Sequence, residues 1–279
     1  MLATLVEVLQ DAKRKGYAVP HFDVCNLEST QAVILGAQIA RSPVIVAISE
    51  RTLQYGDEEV IVGLVRAYAQ HSKVPTVVHL DHGHTPALVE RALSWGFTSV
   101  QIDVSGMRSD RGIKIVSDLV YKAQAKGISV EAEIDAMPHI TERGKGLKMT
   151  NPQVAARFCA QTRADAFAVV IGNIHGGQAK GEKLDLKLLE KINEATATPL
   201  VLHGASGLPK AQLIGAIKHG IVKINIDTEL RVATTTAIRK MLKDKNIIDP
   251  RDYLAQARDA MAQVVVEMAT IFGSRGKSG

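Results

Sequence analysis

Short apolar segments rich in valine and isoleucine recur eight times along the chain: VPHFDV (19–24), PVIVAIS (43–49), TVVHLDH (76–82), SVQIDVS (99–105), SVEAEI (129–134), AFAVVIG (166–172), PLVLHG (199–204) and IVKINID (221–227). Near-continuous apolar runs of this length read as strands buried on both faces, the hallmark of a parallel sheet. Helical patterns such as LESTQAVILGAQIAR, TPALVERALSWG and PKAQLIGAIKHG separate them, several opening on a capping residue or proline and several stopping at glycine (Gly96, Gly127, Gly220). Eight strand-plus-helix units in succession predict an α/β fold, a (β/α)8 TIM barrel, with strands spanning about 19–227. A doubly wound open sheet would normally carry a glycine-rich dinucleotide turn after its first strand, and none follows VPHFDV.

No Ser/Pro/Gly linker divides the 279 residues, so residues 1–279 are expected to form one domain, a size that barrels of this kind reach. An additional C-terminal helix, about 250–272, lies outside the eight units and is expected to pack across the barrel or on a neighbouring subunit.

Lys and Arg exceed Asp and Glu by 34 to 29, but the basic residues are scattered and aromatics make up only 4%, so no nucleic-acid footprint is present. No apolar run approaches the roughly 18–20 residues of a membrane span, and the amphipathic MLATLVEVLQDAKRKG start lacks the plan of a signal peptide. The two cysteines, Cys25 and Cys159, have no disulfide or metal-site spacing, as in a reducing compartment. A cytoplasmic protein acting on a small molecule, without nucleic-acid or membrane partners, is the expectation.

Polar chemistry collects at the carboxyl ends of the expected strands, which a closed barrel brings around one mouth. These residues are Asp23 and Asn26, Ser49 and Glu50, Asp81 and His82, Asp103 and Ser105, Glu131 and Glu133, His175, His203, Asn225 and Asp227. His82, His175 and His203 end three different strands, each followed at once by glycine. Three imidazoles with an open fourth position make a catalytic zinc site. Asp81, beside His82, is placed for proton transfer, or alternatively to orient a metal-bound histidine. His79 reads as a supporting group or pocket wall, and His71, His139 and His219 as surface residues. Two turns in the slots where barrels often bind phosphate, Gly204–Gly207 and Asn225–Thr228, open helices and offer backbone N–H groups.

Together HLDHG, IGNIHG, LHGASG, KINIDTELR and the terminal FGSRGK resemble the class II, zinc-dependent ketose-bisphosphate aldolases, the fructose- and tagatose-1,6-bisphosphate group. The resemblance implies that His82, His175 and His203 bind Zn2+, with Glu133 as a nearby carboxylate or alternative ligand. It implies that Asp81 is the acid/base in reversible cleavage to dihydroxyacetone phosphate and an aldehyde through an enediolate. Gly176, Gly204, Ser206, Asn225, Asp227 and Thr228 would hold the dihydroxyacetone phosphate half, and glycine carbonyls would meet a monovalent cation, Na+ or K+. A homodimer or homotetramer is also implied.

Two departures stand out. The segment IDAMPHITERGKGLKMT lacks the family's Gly-Gly loop and leaves Glu142 as the candidate for the second proton-exchanging acid. HFDV places Asp23 where the family commonly has Asn, which bears on the aldehyde half and on whether it carries a phosphate; Asp23 and Ser49 are further candidates for substrate or phosphate binding. Three other readings stay open: a Schiff-base aldolase using Lys223, an aldolase for a different keto-sugar phosphate, and a non-catalytic zinc- and phosphosugar-binding barrel.

Overall fold

The computed structural model describes residues 1–135, 137, 148–176 and 183–278. A first helix, α1 (Leu5–Lys15), precedes β1 (Val19–Asp23), α2 (Leu27–Ala40) and β2 (Val44–Ser49). Two helices, α3 (Glu50–Gly56) and α4 (Glu58–His71), lead to β3 (Thr76–Gly83), α5 (Pro86–Ala92), β4 (Ser99–Asp103), α6 (Ser109–Gln124) and β5 (Ser129–Glu133). Then come α7 (Pro152–Thr162), β6 (Ala166–Ala168), α8 (Leu186–Ala195), β7 (Leu200–Leu202), α9 (Lys210–Lys218), β8 (Ile221–Ile226), α10 (Thr228–Met241) and α11 (Pro250–Ile271).

The eight strands pair in parallel and in sequence order, and β1 closes on β8, so the expected (β/α)8 barrel is the fold. Strand alternation sorts the residues into two cores. Outward-facing Phe22, Val46, Leu80, Ile102, Val130 and Ile224 are buried beneath the ring of helices. Val19, Ile45, Val77, Ala166 and Val201 fill the amino-terminal end of the barrel, where Leu5, Val8, Leu9 and Ala12 of α1 close it. Thr4 and Glu7 start that helix with a reciprocal capping box, which satisfies amide groups that would otherwise be orphaned.

The C-terminal helix α11 packs on α2 and α10 rather than across the barrel mouth. Gly36 of α2 makes the approach possible, because a Cβ there would lie 2.6 Å from both the Ala262 carbonyl oxygen and Val265 Cβ. The chain end is tied down where the buried hydroxyls of Ser42 and Ser274 meet at 2.7 Å.

Candidate active site

A barrel interior sealed at one end offers its ligands only the other, and the polar residues fall in two layers there. The lower layer is fully buried: His21, His79, Glu131 and Lys223. Lys223 Nζ donates to Glu131 Oε2 at 2.7 Å, and the other oxygen, Oε1, lies 2.8 Å from His203 Nε2. Burial alone would raise the Glu131 pKa, but Lys223 and the His203 hydrogen bond hold it well below the usual carboxylate range. An ionised carboxylate only accepts, so His203 Nε2 carries the hydrogen and Nδ1 is left with its lone pair. Sequence reasoning set Glu131 at the mouth with Glu133; the structure places it one layer below, holding a histidine that faces the mouth.

The upper layer contains the three predicted histidines. Ligand nitrogens of His82, His175 and His203 lie within 4.8 Å of one another, and His203 Nδ1 is 3.2 Å from His82 Nε2. Burial depresses the pKa of both His82 and His203, so each imidazole is neutral and able to ligate. Four-coordinate zinc with nitrogen ligands at about 2.0–2.1 Å has a tetrahedron edge of about 3.3 Å. The observed separation fits that edge, so the donor set suits the ion.

His82 follows Asp81 directly, and simple alternation would turn one of the two out of the barrel. The register between β3 and β4 shifts between Leu80 and Gly83, and His82 takes a left-handed φ of 50°. Its N–H donates to Gln101 Oε1 at 2.9 Å, which holds this strained turn. Gly83 is required next, since a Cβ there would lie 2.5 Å from Val89 Cγ2 and 2.6 Å from the Gln101 carbonyl oxygen. Two adjacent residues thereby both reach the mouth.

Asp81 Oδ2 is 3.7 Å from His82 Nε2, and Oδ1 accepts from Asn225 Nδ2 at 3.3 Å. Burial, reinforced by the charge of Asp23, pushes the Asp81 pKa well above the carboxylate range. Glu133 accepts from Gln101 Nε2 at 3.0 Å and lies 3.7 Å from His82 Nδ1, on the side of the ring away from His203. His82, Asp103 and Glu133 thereby form a second group whose donor atoms lie within 4.8 Å of one another.

A cavity of 190 Å³ gathers Asp23, Ser49, Asp81, His82, His175, Gly176, His203, Gly204, Ser206, Asn225, Asp227 and Thr228. Of the candidate residues, Glu133 lines the neighbouring outer cavity with His82 and His175, and Glu142 lies outside the described residues. The two turns proposed for phosphate are stitched together: Ser206 Oγ accepts from the amides of Asp227 and Thr228 at 3.4 and 3.2 Å. Arg231 joins the cavity wall without having been singled out, its guanidinium on Asp227 at 2.6 and 2.8 Å. The signal was present in DTELR, where Asp and Arg stand four apart at a helix start. His79 donates to or accepts from Ser99 Oγ through Nδ1 at 2.8 Å, a supporting position below the cavity. His71 is exposed as expected and His219 half-buried, while His139 lies outside the described residues.

Lys223 is engaged by Glu131 beneath the cavity and does not line it. A Schiff-base role therefore has no support in the geometry.

Comparison with known proteins agrees with the site. The family model described as fructose-bisphosphate aldolase class-II matches residues 3–277. The chain is 37% identical to a fructose-bisphosphate aldolase of Geobacillus stearothermophilus over 283 residues, covering 99% of each chain. It is 39% identical to that of Thermus caldophilus over 306 residues, covering 100% of both. The crystal structure of the YdjI aldolase from Escherichia coli K12 superposes with a TM-score of 0.88 at 32% identity, over 100% of both chains. Barrel, histidine cluster and whole-length similarity lead to one conclusion: this chain belongs to the class-II fructose-bisphosphate aldolase family of metal-dependent lyases.

Proposed function

We propose that the protein reversibly cleaves a phosphorylated ketose of the fructose- or tagatose-bisphosphate type into dihydroxyacetone phosphate and an aldehyde, with zinc on His82, His175 and His203. The observation that carries this reading is the 3.2 Å approach of His203 Nδ1 to His82 Nε2 while Glu131 takes the opposite nitrogen of His203. Zinc bound there would act as a Lewis acid on the substrate carbonyl, supplying the electron sink that carbon–carbon cleavage needs.

The chain supplies the rest. Asp81, with its raised pKa and its carboxyl oriented by Asn225, is suited to take the hydroxyl proton of the carbon beyond the breaking bond and to return it in the reverse direction. Ser206 and the amides of Asp227 and Thr228 can exchange their mutual hydrogen bonds for bonds to a phosphate, which the start of α10 also favours electrostatically. Glu133, 3.7 Å from His82 Nδ1, forms a donor group with His82 and Asp103 and serves in this reading as the carboxylate close to the metal or an alternative ligand. Glu142 as the second acid, and Na+ or K+ on the carbonyls of Gly176 and Gly204, belong to the same reading and rest on the family resemblance.

Among the described residues no helix is long and apolar enough to cross a membrane, in keeping with a cytoplasmic enzyme. Exposed Val232 and Leu242 offer apolar surface for a homodimer or homotetramer.

Turnover tests the reading. Fructose- and tagatose-1,6-bisphosphate should each be assayed for release of triose phosphate, and Asp81→Asn should lower kcat by about 10²–10⁴-fold with zinc content unchanged. Stoichiometric zinc without cleavage of either sugar would instead favour the binding-only barrel.

A further inference from the structure

Among the described residues, five buried side-chain atoms without a hydrogen-bond partner belong to one patch beneath the mouth: His21 Nδ1 and Nε2, His79 Nε2, Asp23 Oδ1 and Asn225 Oδ1. Buried polar groups are nearly always paired, because leaving one unpaired costs most of its lost hydration. His21 is the extreme case. Its ring is fully buried on β1, both nitrogens are unpartnered, and neither the three metal-site histidines nor the phosphate turns make use of it.

The surroundings of the ring limit what it can do. Between β1 and β3 lies β2, whose Ala47 pairs with Asp23 on one side and His79 on the other. That small side chain leaves room for His21 to reach the residues of β3, where it meets the His79 ring edge-on with centroids 5.5 Å apart. His21 Nε2 then lies 3.6 Å from Asp81 Oδ1, and Asp23 Oδ1 is the more distant acceptor at 3.9 Å. Burial, reinforced by the charge of Lys223, keeps the imidazole neutral, so it carries one N–H. With carboxyl oxygens facing Nε2 and no partner at Nδ1, that hydrogen belongs on Nε2.

The two oxygens of Asp81 are in different company. Oδ1 accepts from Asn225 Nδ2 at 3.3 Å, whereas Oδ2 faces His82 Nε2, on the metal side, at 3.7 Å. A second donor on Oδ1 would fix the carboxyl with Oδ2 toward the reacting centre. At 3.6 Å the ring is about 0.5 Å beyond hydrogen-bond range, a gap that rotation of the carboxyl can close. Catalytic hydrogen bonds are often long before substrate arrives and tighten in its complex. His21 does not line the cavity of the site, so any effect it has on the reaction passes through another side chain.

We propose that His21 is a positioning residue for Asp81: its Nε2–H, with Asn225 Nδ2, holds Oδ1 so that Oδ2 meets the hydroxyl whose proton Asp81 exchanges. This role deepens the aldolase reading of the site and rests on it.

The test uses two reactions of the zinc-loaded protein. Cleavage of fructose- or tagatose-1,6-bisphosphate needs Asp81, whereas exchange of solvent deuterium into dihydroxyacetone phosphate involves no hydroxyl beyond the breaking bond. In His21→Met, which removes the donor, kcat for cleavage is expected to fall about 10–100-fold, with KM, bound zinc and the exchange rate unchanged. His21→Leu, a smaller apolar replacement, should give the same pattern and serves if the first variant folds poorly. His21→Gln carries an amide to about the position of Nε2 and should recover most of the lost kcat. In an Asp81→Asn background, His21→Met should lower cleavage no further, since the residue it acts through is already disabled. An unchanged kcat in folded His21→Met, an equal loss of exchange, or a further loss in the Asp81→Asn background overturns the role of His21 alone. A wild type that cleaves neither sugar overturns the aldolase reading, and the role of His21 with it.

Discussion

Glu131 is out of reach of water, yet it binds a lysine with one oxygen and a histidine with the other. A buried ion pair is weak evidence for stability, because desolvation offsets much of its attraction, but breaking one leaves an unpaired buried charge. Lys223→Met should therefore destabilise the fold by about 3–5 kcal/mol in urea unfolding, a loss that a solvent-exposed lysine would not show. Glu131→Gln should weaken zinc binding by about 10–100-fold in chelator competition, since it removes the partner that sets the tautomer of His203. An unchanged zinc affinity would mean that His203 needs no such support. Neither role was legible beforehand: period-two alternation marks Glu131, Glu133 and Lys223 as inward-facing and sets Lys223 two residues deeper than Asn225, but says nothing of what Glu131 and Lys223 bind. At the opposite end of the barrel, burial and the bond to Asp11 raise the pKa of Tyr17 above its ordinary value. The unfolded chain then loses this proton first, at a pH of about 10, so the contribution of Tyr17 is intact below that value and declines as pH rises beyond it. The urea midpoint should fall more steeply above pH 10 in the wild type than in Tyr17→Phe.

Elements were read more easily than residues. All eight strands fall where the apolar runs stand, because a strand buried on both faces announces itself without alternation. Their ends and irregularities were less visible. The short helix α3 begins at Glu50, where strand-end chemistry was expected, and seven residues leave little periodicity to detect. The register shift at Leu80–Gly83 leaves no pattern in sequence beyond the glycine itself, although it turns His82 into the site. Gly83→Ala should consequently act twice, destabilising the fold by about 1–3 kcal/mol through overpacking and weakening zinc binding by moving His82. At the α2–α11 contact, Gly36→Ala should cost a similar amount, about 1–3 kcal/mol, and leave zinc affinity intact, because no metal-site residue is nearby in either helix. Equal zinc loss in both variants would show that the effect of Gly83→Ala is general loosening.

In the whole molecule, residues separated by more than a hundred positions form one small space, and closure of the barrel is what makes them a site. That much follows from the repeat of strand and helix: once the chain is a barrel, His82 and His203 at the ends of β3 and β7 share a mouth with His175. The structure places His175 seven residues beyond the end of β6 rather than at the strand end expected from sequence. Short-range pattern cannot supply the distances that distinguish a metal centre from three separate histidines. In the function proposed above, these three side chains hold the metal on which carbon–carbon cleavage depends. Its most direct test is triose phosphate release from fructose-1,6-bisphosphate, measured on the purified protein, after chelation, and after zinc is returned, with bound zinc counted at each stage. Activity should disappear with the metal and recover with one zinc per chain, and His203→Ala should neither bind the ion nor recover. Full activity in the metal-free protein would contradict it.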